Sequence, residues 1–160
     1  MAELHKETIN YLQTNNVTSI SKITPRVYLG SIEAALDTPD LKKRGITHII
    51  NAAKDATYDS ELPQIRLHLD DIPRENLFRV LEPSRIVMNR ILLTNSENKI
   101  LVHCMAGVSR SASVVIYYLM KNEGLTYDQA LAKVRKTRSF VNPNAGFEMS
   151  LKAVEGVKVA

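Results

Sequence analysis

The segment 99–122 constrains the fold more than any other part of the chain. It begins with the apolar run KILVH, continues through CMAGVSR and ends in the strongly apolar stretch SASVVIYYLMKN. The first run predicts a short buried strand, and the last predicts a helix that is apolar on most sides and therefore needs burial. A strand that turns through a short loop into a buried helix at the centre of the chain indicates an α/β domain.

The remaining segments alternate between strand and helix patterns. Further strands are predicted at 20–23, 27–29, 46–51 and 64–69, and further helices at 38–45, 76–93, 126–137 and 144–157. Pro83 should start a new turn or kink its helix, and Gly124 should end the helix that begins at Ser111. A chain of 160 residues suits one domain, which we expect at 19–157.

The N-terminal residues 1–18 are predicted to form a helical arm. Residues 3–13 are expected to be a short amphipathic helix with Leu4, Ile9 and Leu12 toward one side. Such an arm could pack on the domain or mediate a homodimer.

Composition excludes several classes of protein. Cys104 is the only cysteine, so neither an internal disulfide nor a cysteine-rich metal site can form. The first residues lack a signal-peptide core, and the longest apolar run, Val114 to Met120, is too short to cross a bilayer. We therefore expect a cytoplasmic protein, which could also enter the nucleus, with no membrane partner.

The charge of the chain is only mildly basic. The net charge of +4 comes from scattered Lys and Arg residues, which does not predict a nucleic-acid partner. The basic group from Arg135 to Arg138 is interpreted as a solvated face, with contact to a second substrate phosphate as the alternative.

The segment between the predicted strand and helix is typical of an anion site. Cys104 ends the strand, and Arg110 follows six positions later at the start of the helix. The loop can fold into a nest of backbone N–H groups, to which the helix N-terminus adds positive partial charge. Arg110 supplies a planar fork for two phosphate oxygens. We name residues 104–110 the phosphate loop, and the expected phosphate-binding residues besides Arg110 are Met105, Ala106, Gly107, Val108 and Ser109.

Cys104 is the candidate nucleophile. Positive charge around the loop should favour the thiolate, which is the reactive form of cysteine. Ser111 could donate a hydrogen bond to the sulfur and stabilise it as a leaving group, while the ring of His103 should orient the loop. The competing interpretation is an inert core cysteine. Arg110 argues against it, because a cation at a helix N-terminus is unfavourable unless an anion binds there.

Expelling an alkoxide or phenolate requires a general acid. Asp70 and Asp71 follow a predicted strand and are the candidates. Alternatively, Asp71 caps the next helix, or one of the two carboxylates pairs with Arg74. Neither a metal nor another cofactor is required, because thiolate, arginine and nest fill the roles of a metal clamp.

Several motifs together resemble one family. HCMAGVSRS (103–111) resembles the His-Cys-x5-Arg-Ser/Thr signature of the cysteine-dependent protein tyrosine phosphatases, and especially of the small dual-specificity phosphatases. RVYLGS (26–31), GITHIINAA (45–53) and FVNPNAGF (140–147) are similar to further segments of that family. Asp71 followed by Asn76 and Leu77 resembles the family's Asp-x4-Asn-Leu, which favours Asp71 over Asp70 as the acid.

The resemblance implies a central twisted mixed sheet flanked by helices, with the phosphate loop between a central strand and a buried helix. It implies hydrolysis of phosphotyrosine and of phosphoserine or phosphothreonine in protein substrates through a phosphocysteine on Cys104. Arg110 would bind the phosphate, Asp71 would act as general acid and then base, and Asn76 and Asn144 would support the site. The alternatives are a phosphate-binding module without turnover, and a phosphatase for RNA 5′ ends or lipids. The lipid alternative is disfavoured because Met105 and Val108 stand where phosphoinositide-directed relatives carry lysines.

Overall fold

The computed structural model of the protein describes residues 19–159, which form a five-stranded sheet flanked by helices. The strands are β1 (Ile20–Thr24), β2 (Val27–Gly30), β3 (His48–Ala53), β4 (Gln64–Leu69) and β5 (Ile100–His103). Their order across the sheet is β1-β2-β5-β3-β4, with β1 antiparallel to β2 and the other neighbours parallel. The predicted α/β class and mixed sheet are therefore confirmed. The N-terminal arm lies outside the described residues.

The described helices are α1 (Ile32–Leu36), α2 (Thr38–Lys43), α3 (Phe78–Thr94), α4 (Arg110–Asn122), α5 (Tyr127–Arg135) and α6 (Ala145–Ala153). α1 was not predicted, because its five residues are too few to show a helical period. α3 continues through Pro83, so the expectation of a new turn there is wrong, and the alternative of a kink stays a prediction. The proline removes one N–H donor near the start of a 17-residue helix, which the remaining turns tolerate.

β5 lies at the centre of the sheet. All four of its residues are buried, and it pairs in parallel with β2 on one side and β3 on the other. Strands covered on both faces are apolar along their length, which explains the run ILVH. Because β2, β5, β3 and β4 run in the same direction, their carboxyl ends share one edge of the sheet. The residues that follow these ends therefore meet there.

α4 is the buried helix that the sequence predicts. It packs on β5 and contacts α3, α5 and α6. Its C-terminus is closed by Gly124 at φ 67°, and the N–H of Leu125 donates to the carbonyl of Met120 at 3.1 Å. The predicted end at Gly124 is confirmed as a left-handed glycine cap. No helix among residues 19–159 is long and apolar enough to span a membrane.

Candidate active site

The phosphate loop is held from outside through its carbonyl groups. The Met105 carbonyl accepts from the N–H of Ile32 at 2.9 Å, and the Val108 carbonyl accepts from the N–H of Asn142 at 2.8 Å. By contrast, no hydrogen bond within residues 19–159 uses the N–H groups of 105–109. Anchored carbonyls on one side and uncommitted N–H groups on the other are the arrangement of an anion nest.

Gly107 is required by the packing of this loop. Its φ is 69°, in the left-handed region that favours glycine. A Cβ at this position would lie 2.6 Å from Arg138 Nη2 and 2.6 Å from the Gly30 carbonyl oxygen. Any other residue would therefore push the loop away from its frame.

Arg138 corrects the interpretation of the basic group as a solvated face. Arg135 and Lys136 are exposed, but Arg138 is fully buried. Its Nε donates to the Gly107 carbonyl at 2.8 Å, and its Nη2 donates to the Ala106 carbonyl at 3.1 Å. Burial lowers the pKa of Arg138 to about 10, although the Cys104 sulfur opposes this shift. Arg138 thus supports the phosphate loop from behind and does not reach outward to a second phosphate.

Cys104 and Ser111 lie side by side. Cys104 is 3% exposed, and its Sγ is 3.0 Å from Ser111 Oγ on the first turn of α4. This is hydrogen-bond distance for sulfur and a hydroxyl. A serine in this position can donate to a thiolate, since a thiolate offers only acceptor capacity.

His103 lies between the nucleophile and Tyr58, a residue that the sequence did not indicate. Its Nδ1 lies 2.9 Å from the Cys104 carbonyl oxygen, and its Nε2 lies 2.6 Å from Tyr58 Oη. Burial lowers the pKa of His103 to about 4, so the ring is neutral at pH 7. Because a carbonyl only accepts, Nδ1 carries the proton and Tyr58 donates to Nε2. The ring is therefore fixed at both nitrogens, as a residue that orients the loop must be.

Arg110 is held by a carboxylate that sequence reasoning also missed. Its Nη1 donates to Asp55 Oδ1 at 2.6 Å and to the Leu69 carbonyl at 3.1 Å. Burial alone would lower the pKa of Arg110, but the Cys104 sulfur and the Asp55 carboxylate together raise it. The guanidinium is therefore a permanent positive charge beside the nucleophile.

The two candidate acids have different surroundings in the acid loop (residues 70–77). Asp71 Oδ1 accepts from Asn144 Nδ2 at 2.9 Å, whereas Asp70 Oδ2 lies 3.5 Å from the exposed Lys54 Nζ. Neither carboxylate pairs with Arg74 within residues 19–159. α3 begins without a side-chain cap, so Asp71 does not cap it.

Asn76 is not brought to the site, in contrast to the other predicted residues. It is exposed, and its carbonyl accepts a long bond from the N–H of Arg79 at 3.4 Å. No side-chain hydrogen bond of Asn76 occurs among the described residues. The part of the Asp-x4-Asn-Leu motif that reaches the core is Leu77, which is fully buried.

Residues 140–147 join the phosphate loop to the acid loop. The N–H of Asn144 donates to Ser109 Oγ at 2.9 Å, while the side chain of Asn144 contacts Asp71. The same side chain caps α6 by accepting from the N–H of Phe147 at 3.0 Å. Two residues further on, Gly146 lies against the backbone of Pro73. One short segment therefore sets the separation of the nucleophile loop and the candidate acid.

Within the described part of the chain, no three His, Cys, Asp or Glu side chains are grouped so that they could hold a metal ion.

Comparisons of the sequence with known proteins find similar phosphatases. Human dual specificity protein phosphatase 22 is 34% identical over 142 residues, which cover 85% of this chain and 73% of that protein. A probable rhodanese domain-containing dual specificity protein phosphatase of Dictyostelium discoideum is 37% identical over 79% of this chain and 26% of its own length. This chain spans between 13% and 26% of the length of three of the curated relatives it matches.

The fold also matches solved structures. The crystal structure of the human tyrosine phosphatase-like serine/threonine/tyrosine-interacting protein is similar with a TM-score of 0.79 at 34% identity, over 87% of this chain and 97% of that one. The family model for the dual specificity phosphatase catalytic domain matches residues 27–156, from β2 to just beyond α6. The chain therefore belongs to the dual specificity phosphatase catalytic-domain family.

Proposed function

We propose that the protein is a phosphatase that hydrolyses phosphotyrosine and phosphoserine or phosphothreonine in cytoplasmic protein substrates, through a phosphocysteine on Cys104. One observation carries the proposal. The sulfur of Cys104 lies in a loop whose carbonyls are bound outward and whose N–H groups at 105–109 bind none of the described residues, next to the Ser111 hydroxyl and near the Arg110 charge. Family membership supports the same activity.

In the first step the Cys104 thiolate attacks phosphorus. The S–P bond forms, the bond from phosphorus to the substrate oxygen breaks, and the departing oxygen takes a proton from the Asp71 carboxylic acid. Arg110 and the N–H groups of the phosphate loop stabilise the charge on the three remaining oxygens. The hydrogen bond from Asn144 to Asp71 supports this role, because it ties the carboxyl group to the segment that also contacts the phosphate loop.

In the second step the Asp71 carboxylate takes a proton from water. The water oxygen attacks phosphorus, the S–P bond breaks, and the electron pair returns to sulfur. Ser111 then donates a hydrogen bond to the departing thiolate at the 3.0 Å separation. Inorganic phosphate leaves, and both Cys104 and Asp71 regain their starting protonation states.

Turnover of a chromogenic aryl phosphate tests this proposal. The wild-type chain should release phosphate, and Cys104→Ser should abolish release while keeping the fold, because a serine hydroxyl is far less nucleophilic than a thiolate. Trapping of a phosphorylated protein by acid quench, absent in Cys104→Ser, would identify the intermediate. Full activity of Cys104→Ser would rule out the mechanism.

A second candidate function is binding of phosphorylated proteins without turnover. It is favoured by one comparison, since a similar human protein is named as a phosphatase-like interacting protein. The presence of Cys104, Arg110 and Asp71 favours the enzyme, because a non-catalytic relative is expected to have lost one of them. Tight binding of a phosphopeptide together with no turnover would support the binding module. A panel that adds phosphoinositides and RNA 5′ phosphates would reveal other substrates.

A further inference from the structure

Within residues 19–159, Arg110 is held through one of its three nitrogens. Nη1 donates to Asp55 and to the carbonyl of Leu69, which uses both of its hydrogens. Nε is buried without a hydrogen-bond partner among the described residues, and in the same part of the chain no hydrogen bond involves Nη2. The guanidinium is thus fixed at one corner, while the edge formed by Nε and Nη2 is uncommitted.

Asp55 lies on a loop that is itself fixed. The carbonyl of Lys54 accepts from Arg66 Nη2 at 3.3 Å, and the carbonyl of Ala56 accepts from the same nitrogen at 3.2 Å. The side chain of Asn51 adds a second bond to the Ala56 carbonyl at 2.8 Å. The residues on both sides of Asp55 are therefore tied through their carbonyl groups to Asn51 on β3 and Arg66 on β4, which restrains the loop that carries the Asp55 carboxylate.

The exposure of the two partners differs. The side chain of Asp55 is 42% exposed, but that of Arg110 is only 8% exposed. Exposed ion pairs contribute little, whereas a buried cation that loses its partner is strongly unfavourable or moves to a new one. Asp55 can therefore determine the position of the Arg110 guanidinium. The ion pair itself contributes little to the stability of the fold, because the Asp55 carboxylate is exposed.

We propose that Asp55 is a positioning residue that fixes Arg110 through Nη1, so that the edge formed by Nε and Nη2 receives two oxygens of the substrate phosphate. These two nitrogens carry parallel N–H bonds, which is the geometry of bidentate phosphate binding. Because Asp55 uses neither of them, the carboxylate and the phosphate bind different parts of one cation and do not compete. This inference rests on the proposed phosphatase function and adds a residue to its phosphate site.

A different role for Asp55, in which phosphate competes with it for Arg110, predicts the opposite change in oxyanion affinity. If Asp55 were a latch that phosphate must displace, removing its charge would strengthen oxyanion binding. If Asp55 positions Arg110, removing its charge frees the guanidinium to turn, and oxyanion binding weakens. The sign of the change therefore distinguishes the two roles.

The experiment is calorimetric titration of the chain with tungstate, a tetrahedral oxyanion that is not turned over. Asp55→Asn should raise the Kd on the order of tenfold, which corresponds to the loss of one well-oriented charge-assisted hydrogen bond. Asp55→Glu keeps the charge but displaces it by one methylene group, so its Kd should lie between those of the wild type and Asp55→Asn. The matched control is Asp59→Asn, an equal change of charge at an exposed residue of the same loop, which should leave the Kd unchanged.

Steady-state kinetics with an aryl phosphate provide the second readout. KM should rise in Asp55→Asn in proportion to the tungstate Kd, while a purely structural defect would lower the amount of active enzyme and leave KM unchanged. An unchanged or lower Kd in Asp55→Asn, or an equal increase in Asp59→Asn, would overturn the inference. If Asp55→Asn does not fold, Asp55→Glu carries the same test, since a Kd equal to that of the wild type contradicts positioning. Tungstate binding by a wild-type chain that lacks turnover would instead refute the phosphatase function and leave the Asp55 comparison valid.

Discussion

Gly146 allows the first turn of α6 to lie directly against the backbone of Pro73, and the position of the acid loop depends on this contact. A Cβ built at Gly146 would lie 1.9 Å from the Pro73 carbonyl oxygen, and 2.6 Å and 2.7 Å from the carbonyl carbon and Cα of the same residue. Ordinary contact begins at 3.4 Å, so Gly146→Ala requires the backbones of Gly146 and Pro73 to separate by about 1.5 Å, and we expect the exposed acid loop to move more than the helix α6. These are backbone atoms and cannot turn aside as a flexible side chain could. Pro73 is two residues from Asp71, so the carboxyl group moves with it.

A shift of this size should disable acid catalysis and spare phosphate binding. A misplacement of about 1 Å can lower a rate by about 100-fold, and a general acid contributes about 100-fold to 10,000-fold. We therefore expect kcat/KM of Gly146→Ala, which reports only the steps up to departure of the leaving group, to fall on the order of 100-fold with phenyl phosphate, whose leaving group needs a proton. The loss with p-nitrophenyl phosphate should be much smaller, because that leaving group departs without one. The Kd for tungstate should stay unchanged, because the phosphate loop is held by Arg138, Asn142 and Ile32.

Gly156→Ala is the matched control for this prediction. Gly156 has φ 71°, and a Cβ there meets nothing within 4 Å. This substitution strains the backbone by about 1–2 kcal/mol without moving the acid loop. A loss of activity that arises only from lower stability would therefore appear in both variants. Equal losses on the two aryl phosphates in Gly146→Ala, or unchanged turnover of phenyl phosphate, would refute the link between Pro73, Asp71 and proton donation.

Three further predictions follow from the contacts of the phosphate loop. Arg138→Met removes the donors to the Gly107 and Ala106 carbonyls, so it should reduce the free energy of unfolding measured in urea titrations by about 2–5 kcal/mol. The exposed control Lys136→Met should reduce it by about 0.5 kcal/mol or less. Similar reductions in the two variants would contradict the role of Arg138. Buried His103 has its pKa lowered from 6.5 to about 4, so its contribution to stability is complete above pH 6.5 and is lost as pH falls toward 4. Between pH 7 and pH 4.5 the wild type should lose about 2–3 kcal/mol more than His103→Gln, and parallel pH profiles would contradict this assignment. Ser111→Ala removes the donor to sulfur and should slow hydrolysis of the phosphocysteine by about tenfold or more, which gives a burst of p-nitrophenol in stopped-flow traces. A slower burst phase with an unchanged steady-state rate would contradict this role of Ser111.

The central strand, the phosphate loop and α4 could be predicted from sequence because their signals are local. The apolar run of β5, the left-handed glycine and the apolar helix are neighbours in the chain. Spacing alone then places Cys104 at the start of this short loop, and Arg110 and Ser111 at its end on the first turn of α4. The contact between Ser111 and the sulfur at 3.0 Å is the direct consequence of that short connection.

Arg138, Asp55 and Tyr58 could not be found in this way, because their partners are distant along the chain. Arg138 binds a carbonyl 31 residues away, Asp55 binds an arginine 55 residues away, and Tyr58 binds a histidine 45 residues away. Around each of them the local sequence is polar and typical of a loop or a solvated turn. Their burial and their partners depend on which strands are neighbours in the sheet, and that information is not present in a local pattern.

The same topology explains why the phosphate loop can bind an anion without rearranging. Parallel strands bring β2, β3 and β5 to one edge, so the segments that follow them can hold the loop from several directions. Each carbonyl from Met105 to Val108 accepts a bond from α1, Arg138 or Asn142, which turns the peptide groups so that their N–H bonds face away from those partners. Donors that are oriented by the fold stabilise a developing charge without first having to reorganise, which is where most electrostatic catalysis originates. Loss of an anchoring residue should therefore weaken transition-state binding even where that residue never touches the phosphate.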